Sequence, residues 1–190
     1  MMRRPGAESL VTQRLILRPW RESDRLPFRE LNGDPDVMRH FPHPLSAERS
    51  DAIMDAWQDH IERHGWGFWA VERIRDGAFV GAVGIAYANF AAPFTPAVEI
   101  GWRMAKAYWR KGYTLEAASR ALDHGFGTLR LEEIVAFTLP ANLPSRGVME
   151  RLGMTHSPAD DFEHPSVEEG HPMRHHVLYR LRRKDWHPPA

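Results

Sequence analysis

The run Tyr108-Trp109-Arg110-Lys111-Gly112-Tyr113-Thr114-Leu115-Glu116-Ala117, close behind Ala97-Val98-Glu99-Ile100-Gly101-Trp102, narrows the possible folds more than any other stretch. A strand pattern gives way to a short loop carrying one glycine between basic and small residues, and the loop to a helix start. Such a junction turns several backbone N–H groups toward one point at the positive end of a helix dipole, which makes a seat for an anion. Gly112 suits the seat because it has no side chain to hold a phosphate away from the backbone. Taken alone, the segment fits an ordinary loop-to-helix junction as well.

Size and charge set outer bounds. The 190 residues suit one domain, long enough to bury a substantial core. Lys+Arg and Asp+Glu both total 25, so there is no basic excess of the kind a general nucleic-acid binder shows. Cysteine is absent, which removes disulfides, thiolate nucleophiles and cysteine zinc sites and fits a reducing cytoplasm. Met1 to Leu10 contains basic residues with no apolar stretch behind them, unlike a secretory signal. The apolar patch from Val80 to Phe94 is interrupted by Gly81, Gly84, Asn89 and Pro93, so no membrane span is expected. The expectation is a soluble cytoplasmic protein.

Periodicity sketches the elements. Leu10 to Arg18 reads as a first strand; Glu22 to Leu31 and Ala47 to His64 read as helices, the second with Ile53, Ala56, Trp57 and Ile61 on one stripe. Gly67 to Arg75 and Ala78 to Ala88 form a hairpin with Asp76-Gly77 as its tight turn. Val98 to Met104 is the next strand. In the helix that follows the anion loop, Leu115, Ala118, Leu122, Phe126 and Leu129 recur at steps of three or four and make its buried face. Glu133 to Leu139 is a strand, Ser145 to Leu152 a helix and Val177 to Arg183 a last strand. The stretch His156 to Arg174, rich in Pro, Asp, Glu and His, is expected to be a long loop. A meander followed by strands alternating with helices gives a mixed sheet flanked by helices.

Roughly thirty residues past Gly112 stands a second motif, Asn142-Leu143-Pro144-Ser145-Arg146-Gly147-Val148-Met149-Glu150-Arg151-Leu152-Gly153-Met154. The two segments together resemble the GNAT superfamily of acetyl-CoA-dependent N-acetyltransferases, in its RimJ/RimL-type branch. There the loop usually reads Trp-Gly-Lys-Gly-Tyr-Ala-Thr-Glu-Ala after Glu-Ile-Gly-Tyr/Trp, and the second motif Asn-x-x-Ser-x-x-Val-x-Glu-x-Leu-Gly-Phe/Met. Arg110 replaces a common glycine and Thr114 a glycine or alanine. The resemblance runs from about Leu10 to Arg182. It implies a single α/β (α+β) domain with a mixed, largely antiparallel central sheet flanked by helices.

Acetylating an amine from a thioester requires a held donor, a proton acceptor and a stabilised carbonyl oxygen. The resemblance implies acetyl-CoA as co-substrate, with the loop Arg110, Lys111, Gly112, Tyr113, Thr114 and Leu115 cradling its pyrophosphate. Its pantetheine arm would run between the strands Val98–Met104 and Glu133–Leu139, faced by Asn142 and Ser145. A backbone N–H from Ile100 to Trp102 would serve the carbonyl oxygen. Asn142 and Ser145 also suit a plain turn and helix cap. Glu99 is the candidate base: it projects from the strand face opposite Val98 and Ile100, at a depth that raises a carboxylate's pKa. The competing reading pairs Glu99 with Arg103 or Arg18.

No tyrosine stands where the family's general acid is usual, Val148 and Met149 occupying that neighbourhood; Tyr113 and Tyr179 are the available hydroxyls. Phe94 and Thr95, just before Glu99, are expected to border the acceptor, an amine on a protein N-terminus or a small molecule. His175, from the cluster His164, His171, His175 and His176, is expected to touch it. His60 and His64 stand four apart on a helix but lack a third ligand, so no metal is expected. Nucleic acid and membrane are not expected partners, and a homodimer is. A non-catalytic acyl-CoA-binding module is the competing function, and Glu99 argues against it.

Overall fold

The computed structural model describes residues 8–189. The reading of Met1 to Leu10 as lacking a signal falls mostly outside that range. Strand β1 (Leu10–Val11) pairs antiparallel with β2 (Leu15–Arg18), Leu10 opposite Leu17. The single strand expected over 10–18 is therefore a small hairpin. Thr12 turns it, its N–H and hydroxyl both donating to the Leu15 carbonyl at 2.9 and 3.2 Å.

A 3-10 turn, Glu22–Asp24, precedes α1 (Arg25–Gly33), where the pattern predicts one helix over 22–31. Buried Arg18 holds that turn: Nη1 and Nη2 donate to Asp24 at 2.7 and 2.9 Å, and Nε to Glu72 at 2.7 Å. Helix α2 (Ala47–His64) has the predicted bounds. Ser46 Oγ caps it by accepting the Arg49 N–H at 3.3 Å.

Strands β3 (Phe68–Arg73) and β4 (Ala78–Tyr87) form the expected hairpin, but residues 74–77 all lie in its turn. Asp76 there is drawn back to the Arg73 guanidinium at 2.5 Å. Then come β5 (Val98–Met104), α3 (Tyr113–Asp123), β6 (Glu133–Thr138) and α4 (Leu143–Arg151), followed by β7 (Thr155–His156), β8 (Phe162–Glu163) and β9 (His175–Arg182). Helix α4 begins ahead of Ser145 because Asn142 caps it. The stretch 156–174 is not one bare loop, since β8 lies within it and pairs with β9.

The sheet runs β1-β2-β3-β4-β5-β6-β9-β7, with β8 on β9. Every pairing is antiparallel except β5 with β6. Helix α3 packs on β4 and β5 through Ala117, Ala118, Ala121 and Leu122, all fully buried, while Leu115 and Leu129 are only partly covered. Successive strand residues face opposite ways. Trp69 accordingly meets His124 at the end of α3, with ring centroids 5.8 Å apart, and Phe68 stacks on Trp57 of α2 at 4.7 Å. Helices α1 and α2 thus cover the opposite face, through a cluster of Trp20, Phe28, Trp57 and Phe79. Full burial of a ring such as Phe28 stabilises the fold by roughly 1.5–3 kcal/mol. Among the described residues, no helix is long and apolar enough to cross a membrane.

Candidate functional site

The parallel pair β5–β6 registers at one position only, Glu99 opposite Val135. Beyond it the two strands register no further pair, which leaves a break in the ladder on the way to the N-terminal ends of α3 and α4. Trp102 reaches across this break, its indole N–H donating to Ser145 Oγ at 3.3 Å. Asn142 is engaged locally: Oδ1 accepts the Ser145 N–H at 3.4 Å, and Nδ2 donates to Thr138 Oγ1 at 2.8 Å. Sequence-predicted Trp102, Asn142 and Ser145 therefore meet at one mouth, with Asn142 acting as the cap.

The anion loop adjoins that mouth. Gly112 is the N-cap of α3 at φ +78°, and no side chain caps the helix. The N–H groups of Tyr113, Thr114 and Leu115 make no hydrogen bond within the described residues; Glu116 N–H is the first to bond, to the Gly112 carbonyl at 3.1 Å. Three donors at the positive end of a helix dipole thus stay open. Arg110 also has a left-handed backbone, φ +59°, which is the physical reason a glycine suits its place. Lys111 turns back, Nζ donating to the Ala107 carbonyl at 2.8 Å.

Arg14, which the sequence reading missed, closes the loop from the β1–β2 turn. Its Nε meets Glu116 at 2.6 Å, its Nη1 donates to the Lys111 carbonyl at 3.0 Å, and its guanidinium lies 4.6 Å from the Tyr113 ring centre. A Cβ added at Gly112 would lie 3.3 Å from that guanidinium. Burial alone would raise the Glu116 carboxyl, but hydrogen bonds from Thr12 and Arg14 bring it below its ordinary pKa. Open N–H donors, a bare Cα and nearby cations fit a diphosphate.

Glu99 lies on the face away from α3. Its row is small: Ala86 stands opposite Glu99, Gly84 opposite Gly101 and Ala82 opposite Arg103. Gly101 has to be small, since a Cβ there would press on the Phe68 ring at 3.0 Å. Glu99 makes no ion pair among the described residues. Arg18 is committed to Asp24 and Glu72, and Arg103 to Asn32 at 2.5 Å. That removes the competing ion-pair reading. Burial pushes the Glu99 carboxyl up to about 7.

On one side of Glu99 stands a second apolar cluster, Val135, Phe162 and Leu178, with Phe90, Phe94 and Phe137 packed on it. Phe94 joins this wall at 4.9 Å from Phe162. Thr95 serves its own turn, its hydroxyl accepting the Ala92 N–H and donating to the Ala92 carbonyl, each at 2.9 Å. His175 is exposed and pairs with Glu163 at 2.9 Å. His164 and His176 enter the aromatic wall instead, 5.0 Å apart. Strand alternation was the signal that could have separated His176 from His175.

The two tyrosines have other partners. Tyr179 donates to Glu150 at 3.0 Å and accepts from Arg146 at 3.1 Å, and Tyr113 lies under Arg14. His60 Nδ1 lies 2.9 Å from the Trp66 carbonyl. Among the described residues, no group of three or more His, Cys, Asp or Glu is placed to hold a metal ion.

The comparisons with known proteins agree with this geometry. Residues 14–155 match the family described as Acetyltransferase (GNAT) domain. The uncharacterized protein YkkB of Bacillus subtilis (strain 168) is 33% identical over 150 residues, covering 78% of this chain and 86% of that protein. The FsC-acetyl coenzyme A-N(2)-transacetylase of Aspergillus fumigatus is 29% identical over 188 residues, covering 94% and 77%. A GNAT-family acetyltransferase from Bacillus anthracis superposes with a TM-score of 0.75 at 25% identity, over 93% of this chain and 99% of that one. Mycobacterium smegmatis RimJ in complex with CoA-disulfide shares the fold, with a TM-score of 0.72 at 22% identity over 93% and 88%. An open helix cap beside two parallel strands that register at one rung, and a family match over most of the chain, make this protein a member of the GNAT acetyltransferase family.

Proposed function

We propose that the protein is an acetyl-CoA-dependent N-acetyltransferase acting by direct attack in a ternary complex, with Glu99 as the base. The observation that carries this reading is the position of Glu99. It is an unpaired, desolvated carboxylate at the one rung that β5 and β6 register.

Bound acetyl-CoA supplies an activated acetyl carbonyl. The N–H groups of Tyr113, Thr114 and Leu115 bind its diphosphate, with Arg14 and Arg110 adding positive charge. Strands β5 and β6 orient the pantetheine arm past Trp102 and Ser145. Glu99 takes the proton from the incoming ammonium, directly or through water, as nitrogen bonds to the acetyl carbon and the carbon–sulfur bond breaks. A β5 N–H near Gly101 steadies the oxygen while it is negative, an interaction worth about 10²–10³ in rate elsewhere. Since Tyr179 is bonded to Glu150 and Arg146 and Tyr113 belongs to the helix start at the diphosphate seat, the thiolate takes its proton from solvent, a thiol of pKa ~8.5 being a tolerable leaving group.

The acceptor is the amine of a protein N-terminus or of a small molecule. A likeness to a putative ribosomal-protein-serine acetyltransferase from Vibrio cholerae favours the first, and the Aspergillus relative, named an N(2)-transacetylase, favours transfer to nitrogen in either case. The test is a thermal shift with acetyl-CoA against ATP, followed by thiol release across an amine panel. Acetyl-CoA at 100 times its Kd should stabilise the protein by about 2.7 kcal/mol, with little effect from ATP. Equal shifts from both nucleotides would overturn the assignment of the diphosphate seat. Tight acetyl-CoA binding with no thiol release for any amine would instead favour a non-catalytic acyl-CoA binder.

A further inference from the structure

On the Glu99 face, the same strand carries a second group that acetyl transfer does not use. Arg103 follows Glu99 by four residues, so both side chains project to one side, separated by about 13 Å of strand. Between them lies Gly101, flanked by Gly84 and Ala86, and the edge of the Phe68 ring, rather than a side chain of β5 itself, covers this stretch of strand.

The Arg103 guanidinium has no carboxylate partner among the described residues. Nη1 donates to Asn32 at 2.5 Å, and among the described residues Nε is buried with no partner and Nη2 makes no bond. The guanidinium lies 4.5 Å from the Phe41 ring centre. Asp36 is taken by Lys106, and Asp24 and Glu72 by Arg18. Other arginines of the α1–α2 side are matched, Arg25 and Arg29 with Asp55 and Asp51. Burying an unmatched cation is costly, and burial lowers the Arg103 pKa to about 10. Arg25 and Arg29 are paired while the more deeply buried Arg103, beside Asn32 and Phe41, is unmatched among the described residues, which leaves a place for an anion from outside.

We propose that Arg103 binds a carboxylate of the acceptor, so that the molecule acetylated at Glu99 carries an amine and a carboxylate on the order of 10 Å apart. This rests on the reading of Glu99 as the proton acceptor. The rival role for Arg103 is structural, tying Asn32 and Phe41 to β5, and it predicts no preference between acids and amides.

The experiment uses two acceptor pairs differing only in the carboxylate: 8-aminooctanoate against its primary amide, and the tripeptide Ala-Ala-Glu-amide against Ala-Ala-Gln-amide. The first pair probes a small-molecule source of the carboxylate and the second a peptide source. In the wild type, kcat/KM should favour the acid over its amide by about 10–100-fold in one pair. Arg103→Gln should bring that ratio close to one, and Arg103→Lys should keep part of it. If Arg103→Gln does not fold, the ratio is read from Arg103→Lys.

An acid and amide acetylated equally well by the wild type in both pairs would overturn the carboxylate subsite while leaving amine acetylation intact. A preference that survives Arg103→Gln would overturn the assignment to Arg103. Where neither pair turns over, calorimetric Kd ratios on the CoA-loaded protein decide between the same outcomes. An amine panel with no thiol release at all would instead defeat the acetyltransfer reading.

Discussion

The proposed donor seat and the proposed acceptor face would meet the same need, a charged ligand held beside a sheet, by opposite means. The seat is main chain: three N–H groups of consecutive residues at the start of α3, left open because Gly112 offers no capping side chain. Helix α2 shows the alternative, its first turn closed by its own Ser46. The acceptor face is side chain, gathered from segments far apart: Asn32 and Phe41 before α2, Glu99 and Arg103 on β5, Phe94 ahead of it, Phe162 on β8 and His176 on β9. On this proposal an open helix end would serve any diphosphate-bearing donor, whereas assembled side chains would choose among amines. A backbone seat tolerates sequence change where a side-chain face does not.

Substitutions at either region should separate the two in kinetics. The largest effect belongs to Glu99→Gln, which should lower kcat by about 10²–10³ while leaving acetyl-CoA affinity near wild type. The wild type should gain kcat/KM as pH rises through about 7 and level off above it, and the variant should lose that rise. The stability sign is the reverse. The carboxyl sits above its ordinary 4.5 in the fold, so ionisation between 4.5 and 7 weakens folding. Glu99→Gln should therefore melt higher than wild type at pH 8 and match it near pH 4. A variant with wild-type turnover would place the base elsewhere.

Next in size is Gly112→Val. It puts a branched side chain at φ +78° and against Arg14, so acetyl-CoA should bind about 10–100-fold more weakly by calorimetry. The pH dependence of residual turnover should keep its midpoint, because the acceptor face is untouched. An unchanged Kd would dissolve the contrast between a backbone seat and a side-chain face.

The smallest effect is that of Arg110→Gly. Relief of a left-handed arginine should exceed the flexibility added to the unfolded chain, raising stability in urea by about 0.5 kcal/mol. A loss of stability would show that the Arg110 side chain makes a contact that outweighs its strain.

The donor seat was legible in the sequence because its parts are neighbours in the chain and its geometry is local. Gly112 at the start of a helix, and a strand bearing Glu99 just before it, follow from turn chemistry and alternation alone, and the bounds of α2 and β5 were legible for the same reason. Local rules blurred where a distant side chain decides. Thr12 splits the first strand, Arg18 reaches Asp24 to set the 3-10 turn before α1, and β8 gains its strand character from pairing with β9.

By itself, the chain's order of residues determined the anion loop, the place of the candidate base Glu99 on a strand just ahead of it, and a mixed sheet flanked by helices. Tertiary structure alone decided that Arg14 closes the loop from 97 residues away, that Glu99 has no arginine partner, and that His176 rather than His175 enters the aromatic wall. Backbone hydrogen bonding and φ preferences act over a few residues and leave their mark in sequence. Charge pairing and desolvation depend on which segments come together, and that is settled only when the sheet assembles.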